Sequence, residues 1–468
     1  ADNMSFSRGL AAALALLAPA PTDAFTPRTA ARVSQVSRRG GRCGAIRMVA
    51  SGSTRVVVTG LGPVNGVGMG QEEFFDGLLH GKSSLGDITR FDVAPDIFTC
   101  KIGSQVTDDF VAADYFTNPK SAKSNDRYTH FAVAAARLAL DDAKLEVESC
   151  DQTRVGVVIG SAFGGMETYE TQTLKAHNGK KVSPFTIPAL LGNTAAGIVG
   201  IEFGCKGPNF GTVSACASAT HSMGSAMEFI QKGDCDVMIA GGTEAAITPT
   251  SFAGFCSMKA MCTQHNDSPT LGSRPFDADR CGFVMGEGAG VVVLESLDHA
   301  LKRGAHIYCE AVGYGASCDA HHITTPAPEG EGLGRSIEMA LKGSGVDHTE
   351  VDYINAHGTS TAYNDKFETM AIKGVFGDHA NDLYISSTKG VTGHTLGAAG
   401  GLEAIACAKA IDTSKIPPTV NYNTPDPECD LNYTPNKLIE LPTVRAALST
   451  NLGFGGHNAA ILFKKFEP

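Results

Sequence analysis

Three residues in this chain combine the types and settings needed for nucleophilic chemistry by a thiol: Cys216, His357 and His394. A thiol attacks only as its thiolate. The run from Phe210 to Ala215 is strand-like, and Cys216 to Gly224 is small and helix-compatible, which sets Cys216 at a strand-to-helix junction. There it faces the unpaired N–H groups of the first turn and the positive end of the helix dipole. Both stabilise a thiolate and lower the thiol pKa. The same N–H groups can hold an oxyanion, and small neighbours leave room for a thioester. Most free cysteines are instead small buried hydrophobes. Cys205, Cys235, Cys256, Cys262, Cys281, Cys309, Cys318 and Cys407 read that way, whereas Cys216 taken alone fits either description.

The histidines break the tie. Val351 to Thr361 is a strand running into a polar loop, with His357 at the strand's end, where α/β sites usually form. Ser386 to Gly400 is a second such passage, with His394 in a glycine loop before a helix. A lone loop histidine is usually a surface residue. Two of them in Gly/Thr-rich strand-end loops, alongside a helix-cap cysteine, point to a thiol served by imidazoles.

The elements that must position these groups alternate. Buried strands are expected at Arg55–Thr59, Val155–Ile159, Val237–Ala240, Gly290–Leu294, Val351–Asn355 and Ala459–Phe463, from their apolar, β-branched runs. Helices are expected at Tyr128–Ala143, Ala217–Gln231, Ser336–Lys342, Asp365–Phe376 and Ala398–Ile411. Strands alternating with helices imply parallel pairing and a layered α/β fold. A strand over His306–Tyr314 ends in Gly313-Tyr314-Gly315 much as the first ends in Gly60-Leu61-Gly62, read here as a turn, so the chain divides into two similar halves. The first of these glycine runs imitates a dinucleotide fingerprint, but its spacing is one residue too long and no strand-end acid follows.

The length of 468 residues suits two fused domains or one duplicated one. The net charge of −11 argues against a general nucleic-acid binder. The 13 cysteines are odd in number and lack paired metal spacing, which fits reduced thiols. No motif for a metal or an organic cofactor is present. Residues 1–53 read as a leader: Arg8, the apolar run Leu10–Leu17, small residues to Ala24, then Arg28 to Arg47 with Ser and Ala between and no acid. The first part has signal-peptide organisation and is too short to span a bilayer, and the second has transit-peptide composition. The expected destination is a plastid stroma, reached by a bipartite leader of the kind used by algae with complex plastids, with no membrane span in the mature chain.

Around Cys216, His357, His394 and Gly453-Phe454-Gly455-Gly456, the sequence resembles the β-ketoacyl synthases, specifically the elongating type of bacterial and plastid type II fatty acid synthesis. The resemblance runs from about Arg55 to Lys465. It implies a thiolase-like, five-layered α/β/α/β/α body, with one half over 54–305 and the other over 306–468, and a homodimer. It implies that Cys216 takes an acyl group from acyl-carrier protein, and that His357 and His394 promote decarboxylation of malonyl carrier protein by donating to the developing enolate. Lys389 and Glu403 match a supporting ion pair, and Phe454 matches a gate whose N–H, with that of Cys216, holds an oxyanion. Thr359 and Thr361 match contacts to the pantetheine arm, Gly455 belongs to the same substrate-binding loop, and Phe163 matches a position lining the acyl pocket. Lys120, Lys123, Arg127 and Lys259 match positions near the tunnel mouth, where an acidic carrier would dock. His457 and Asn364 depart from the usual Thr and Gly. A thiolase would need a second cysteine near the C-terminus, which Gly453 to Asn458 lacks. An initiating synthase would pair Cys with His and Asn, and a non-catalytic chain-length partner would not need the Cys/His/His set.

Overall fold

Ten strands carry the fold, and most are apolar along their whole length because helices cover both their faces. The computed structural model describes residues 54–467, and the leader expected over residues 1–53 lies outside them. The first half is built from β1 (Val56–Asn65), helix α1 (Arg127–Ala143), β2 (Val155–Gly160), α2 (Thr194–Phe203), β3 (Asn209–Phe210), α3 (Ser218–Gln231), β4 (Val237–Glu244) and β5 (Gly288–Ser296). The second is built from β6 (Cys309–Cys318), α4 (Glu331–Ser344), β7 (Val351–Asn355), α5 (Ala362–Phe376), β8 (Tyr384–Ser386), α6 (Ala399–Thr413), β9 (Ala446–Gly453) and β10 (His457–Lys464).

The two halves repeat one topology. The strands run β3-β2-β4-β5-β1 and β8-β7-β9-β10-β6 from free edge to centre. In both, the three strands nearest the free edge pair in parallel and the remaining pairs are antiparallel. The centre is a short antiparallel junction, Val56–Val58 with Cys309–Ala311. Helices α3 and α6 touch each other and strands of both halves, so they form a shared middle layer. Helices α1 and α2 cover the outer face of the first half, and α4 and α5 that of the second, which completes five layers.

One expectation is corrected here. Gly60-Leu61-Gly62 is not a turn, because β1 continues through it to Asn65. The glycines are there for contact: a Cβ on Gly60 would stand 2.1 Å from the Ala139 carbonyl oxygen, and one on Gly62 1.9 Å from that of Ala135, both on α1. Gly313 and Gly315 repeat this against Ala340 and Ser336 of α4, at 2.1 and 1.9 Å. Two more strands differ from expectation. Strand character over Phe210–Ala215 is limited to Asn209–Phe210, and β9, rich in Ala, Ser and Thr, escapes an apolar-run criterion.

Candidate active site

The tip of α3 sets the geometry. Cys216 lies in a short 3-10 turn, Ala215–Ala217, that leads directly into the helix. Ala215 takes φ +50°, a left-handed conformation unusual outside glycine. The sharp turn is held by Ser218, whose hydroxyl donates to the Ala215 carbonyl at 2.7 Å and accepts from the Ser214 N–H at 2.9 Å. Gly453, at the end of β9, passes close behind. A Cβ there would meet the Ser214 carbonyl oxygen at 2.5 Å, so no larger residue fits between the loop carrying Phe454 and the cysteine.

The histidines reach the same point from the second half. His394 Nε2 stands 3.0 Å from Cys216 Sγ, and the His357 and His394 rings meet edge to face with centroids 5.3 Å apart. One ligating atom from each of the three side chains lies within 4.8 Å of the other two. His394 is fixed through its backbone, donating to the Val284 carbonyl at 2.7 Å and accepting from Gly286 N–H at 2.9 Å. All three residues are buried, and all three line one cavity of about 750 Å³.

Burial sets the protonation states. It pushes the Cys216 thiol up to about 12, against the smaller opposing pull of the Lys389 ammonium. Desolvation of the sulfur thus works against the lowering expected at the helix tip. Burial also drives His357 and His394 well below the usual histidine value, helped by Lys389, so both imidazoles are neutral. The resting site pairs a protonated thiol with a neutral base one hydrogen bond away.

Sequence reasoning missed the residue that orients His357. Asn451, in β9, donates to His357 Nδ1 at 3.3 Å and to Glu403 Oε2 at 2.7 Å, and its carbonyl oxygen accepts from the Thr220 hydroxyl. With Nδ1 an acceptor, the hydrogen of the neutral ring sits on Nε2. Lys389 pairs with Glu403, and both are buried behind the histidines rather than in the cavity wall. Two further acids were missed. Glu368 accepts from the His357 and Gly358 N–H groups at 2.7 and 2.8 Å and from Thr450 Oγ1 at 2.8 Å. Glu244 accepts from the N–H groups of Ala162 and Gly397 at 2.7 and 3.1 Å. Burial raises both carboxyls to about 7. The available signal was an acid closing an apolar strand, Val237–Glu244, and a polar Ser-Thr-Asn run inside buried β9.

Residues 53–300 match the β-ketoacyl synthase N-terminal domain, and residues 308–423 match the β-ketoacyl synthase C-terminal domain. This chain belongs to the β-ketoacyl synthase family. It is 49% identical over 415 residues to the 3-oxoacyl-[acyl-carrier-protein] synthase 2 of Synechocystis, covering 88% of this chain and 98% of that one. It is 46% identical over 419 residues to the protein of the same name from Staphylococcus aureus, covering 89% and 100%. Among solved structures, a β-ketoacyl synthase from Burkholderia phymatum superposes with a TM-score of 0.82 at 33% identity, over 88% of this chain and all of that one. A type II polyketide ketosynthase in complex with its acyl-carrier protein gives 0.82 at 34%, over 89% and 100%.

The remaining positions of this β-ketoacyl synthase divide. Thr359, Thr361, Phe163, Phe454 and Lys259 line the cavity. The two threonine hydroxyls are 2.8 Å apart. The Phe163 and Phe454 rings both approach Phe255, at 6.1 and 6.4 Å between centroids. Gly455 does not line the cavity. It forms the loop's tip at φ +89°, its N–H donating to the Ile323 carbonyl at 2.7 Å. Lys120 and Lys123 are exposed but lie outside the cavity wall. Arg127, expected to help dock a carrier, turns its guanidinium inward: it pairs with the fully buried Glu287 at 2.7 Å and lies over the Phe131 ring. Among the cysteines expected to be buried, Cys318 is exposed and Cys205 and Cys281 are only half-buried. No helix among the described residues is long and apolar enough to cross a membrane.

Proposed function

We propose that this protein is an elongating β-ketoacyl-[acyl-carrier-protein] synthase that condenses an acyl group held on Cys216 with malonyl carrier protein. The products are 3-oxoacyl carrier protein, carbon dioxide and free carrier. The observation that carries the reading is the 3.0 Å contact between His394 and Cys216, with His357 facing the same cavity. In the first half-reaction the Cys216 proton passes through His394 to the departing carrier sulfur as the Cys216 sulfur takes the acyl group. The raised thiol pKa keeps the sulfur protonated until this transfer. In the second, the His357 Nε2–H and a His394 ring N–H stabilise the oxygen of the malonyl thioester as carbon dioxide leaves. Each donor of this kind contributes on the order of 3 kcal/mol. The carbanion attacks the acyl-Cys216 carbonyl, whose oxygen is held by the N–H groups of Cys216 and Phe454; the adduct collapses with cleavage of the C–S bond, and the expelled Cys216 thiolate takes up a proton from solvent to restore the thiol. Thr359 and Thr361 position the pantetheine arm.

The test is kinetic. Iodoacetamide should label Cys216 and abolish condensation. His357→Ala should form the acyl-enzyme at close to the parental rate but lose malonyl decarboxylation by at least 100-fold. If that variant decarboxylates normally, the enolate role is wrong.

Phe163 narrows the acyl end of the cavity, where it is 40% exposed. Phe163→Ala should shift the product profile to longer chains, read by mass spectrometry of products from graded acyl carriers. An unchanged profile rejects Phe163 as the limit. Lys259 at the cavity rim, with Lys120 and Lys123, supplies positive charge for an acidic carrier. The basic, Ser- and Ala-rich leader composition supports plastid delivery. A homodimer is supported by exposed apolar side chains near the free edge at β3: Ile187 and Ile201, with Phe210 and Val213 from the edge segment itself.

A further inference from the structure

We propose that Cys262 and Cys281 form a reversible disulfide in the wall of the cavity, a redox modification site separate from Cys216. Their sulfurs lie 2.8 Å apart, closer than two carbon atoms in contact, about 3.5–4.0 Å, although sulfur is the larger atom. The backbone already holds the two segments together next to the thiols. The Cys262 N–H donates to the Phe283 carbonyl at 2.9 Å, and the Phe283 N–H donates to the Ala260 carbonyl at 3.1 Å. Gly282, immediately after Cys281, makes this approach feasible. It takes φ +128°, and a Cβ there would stand 2.7–2.8 Å from the backbone of Ala260 to Cys262. Closing the sulfurs to about 2.05 Å therefore requires less than an ångström of movement between segments already in register.

The two thiols differ in a way that suits exchange. Cys281 is half-buried and lines the cavity, so a reagent can reach it, whereas Cys262 is fully buried. The two thiols share a hydrogen bond that, with the N–H groups of Gln264 and His265, draws the Cys262 thiol below its ordinary value. Once ionised, the pair holds one proton between its two sulfurs. The oxidant is a disulfide, either a small one such as oxidised glutathione or one on a protein. Cys281 passes its proton to Cys262 and attacks one sulfur of the reagent, releasing a first thiolate and leaving a mixed disulfide on Cys281. Cys262 then gives its proton to that released thiolate and attacks the Cys281 sulfur, expelling the second thiolate. Two thiols have become one disulfide, and the two electrons reside on the reagent. The bridge would lie two residues from Phe283, whose ring packs edge-on to His394 at 5.5 Å between centroids.

The full-length chain should be equilibrated in glutathione buffers of graded oxidised-to-reduced ratio, quenched with N-ethylmaleimide and mapped without reduction. The expected result is a single cross-linked peptide pair, 262 with 281, reversed by dithiothreitol. Cys262→Ser should remove the cross-link and accumulate glutathione on Cys281, the trapped first step, at least tenfold over the parent. The proposal is overturned if both thiols are alkylated in the most oxidising buffer while the protein remains folded by circular dichroism. It is equally overturned if Cys262 links to Cys100 or Cys256 instead.

Discussion

The neutral state of His357 and His394 is maintained at a thermodynamic cost that depends on pH. Each ring is held well below its ordinary value of 6.5 by burial and by Lys389. Unfolded histidine takes up a proton below pH 6.5 and the folded ring does not, so the unfolded state binds more protons there and stability falls as pH drops. Between pH 7.5 and 5.5 the loss is on the order of 1 kcal/mol per histidine. Denaturant unfolding of His357→Gln at these two pH values should show a smaller acid-side loss than the parent, by about that amount. Glu368 and Glu244 carry the opposite sign. With folded values raised to about 7, their contribution is present below pH 4.5 and is lost as pH rises through 7; it cancels when variant and parent are compared. Lys389 and Glu403 act differently again. Removing one partner strands a charge in the interior, so Lys389→Ala should destabilise the fold by about 3–5 kcal/mol, read as a lowered urea midpoint. The three reactive side chains were legible in the sequence because each stands in a loop of distinctive composition. Asn451 and Glu368 were not. Their partners lie far away along the chain or across a strand–helix pair, and an amide within a Ser-Thr-Asn run looks the same whether it meets water or a histidine.

Among the elements, apolar runs located most strands and helices, because burial on both faces leaves little room for other residues. They misplaced Gly60-Leu61-Gly62, since glycine in a turn and glycine under a helix have the same one-letter record. The structure makes the difference measurable. Gly62→Ala and Gly315→Ala each put a methyl 1.9 Å from a helix carbonyl, in equivalent places in the two halves. Each should cost about 3 kcal/mol or more by forcing the helix away from the strand. Similar losses of thermal stability for the two variants would show that the halves use this contact alike. A loss in only one would show that the repeat is topological but not energetic. Strand β9 was missed for another reason: its interior polar residues serve the site, so function overrode the pattern that marks a strand.

At the scale of the whole molecule, the repeated glycine runs suggested two halves, while the five layers came only from the resemblance. Association follows from what those layers leave uncovered. Ile201 is 78% exposed and Val213 68%, both next to the short edge strand β3. A dimer covering this edge would bury them, and Ile201→Asp should move the protein toward a monomer in sedimentation velocity. A parent that already sediments as a monomer would place the apolar edge in some other contact.

The shared middle layer has a mechanical consequence. Helices α3 and α6 are each gripped by strands of both halves, so opening the body between them would tear apart a packed interior. Among the described residues these contacts tie the halves together, which disfavours swinging them apart to admit a long chain. On the proposed reading, accommodation falls to Phe163 and Phe454, partly exposed rings on loops of the cavity wall, since exposed side chains change rotamer on picosecond-to-nanosecond timescales. A lengthening product is therefore met by valves rather than by a jaw.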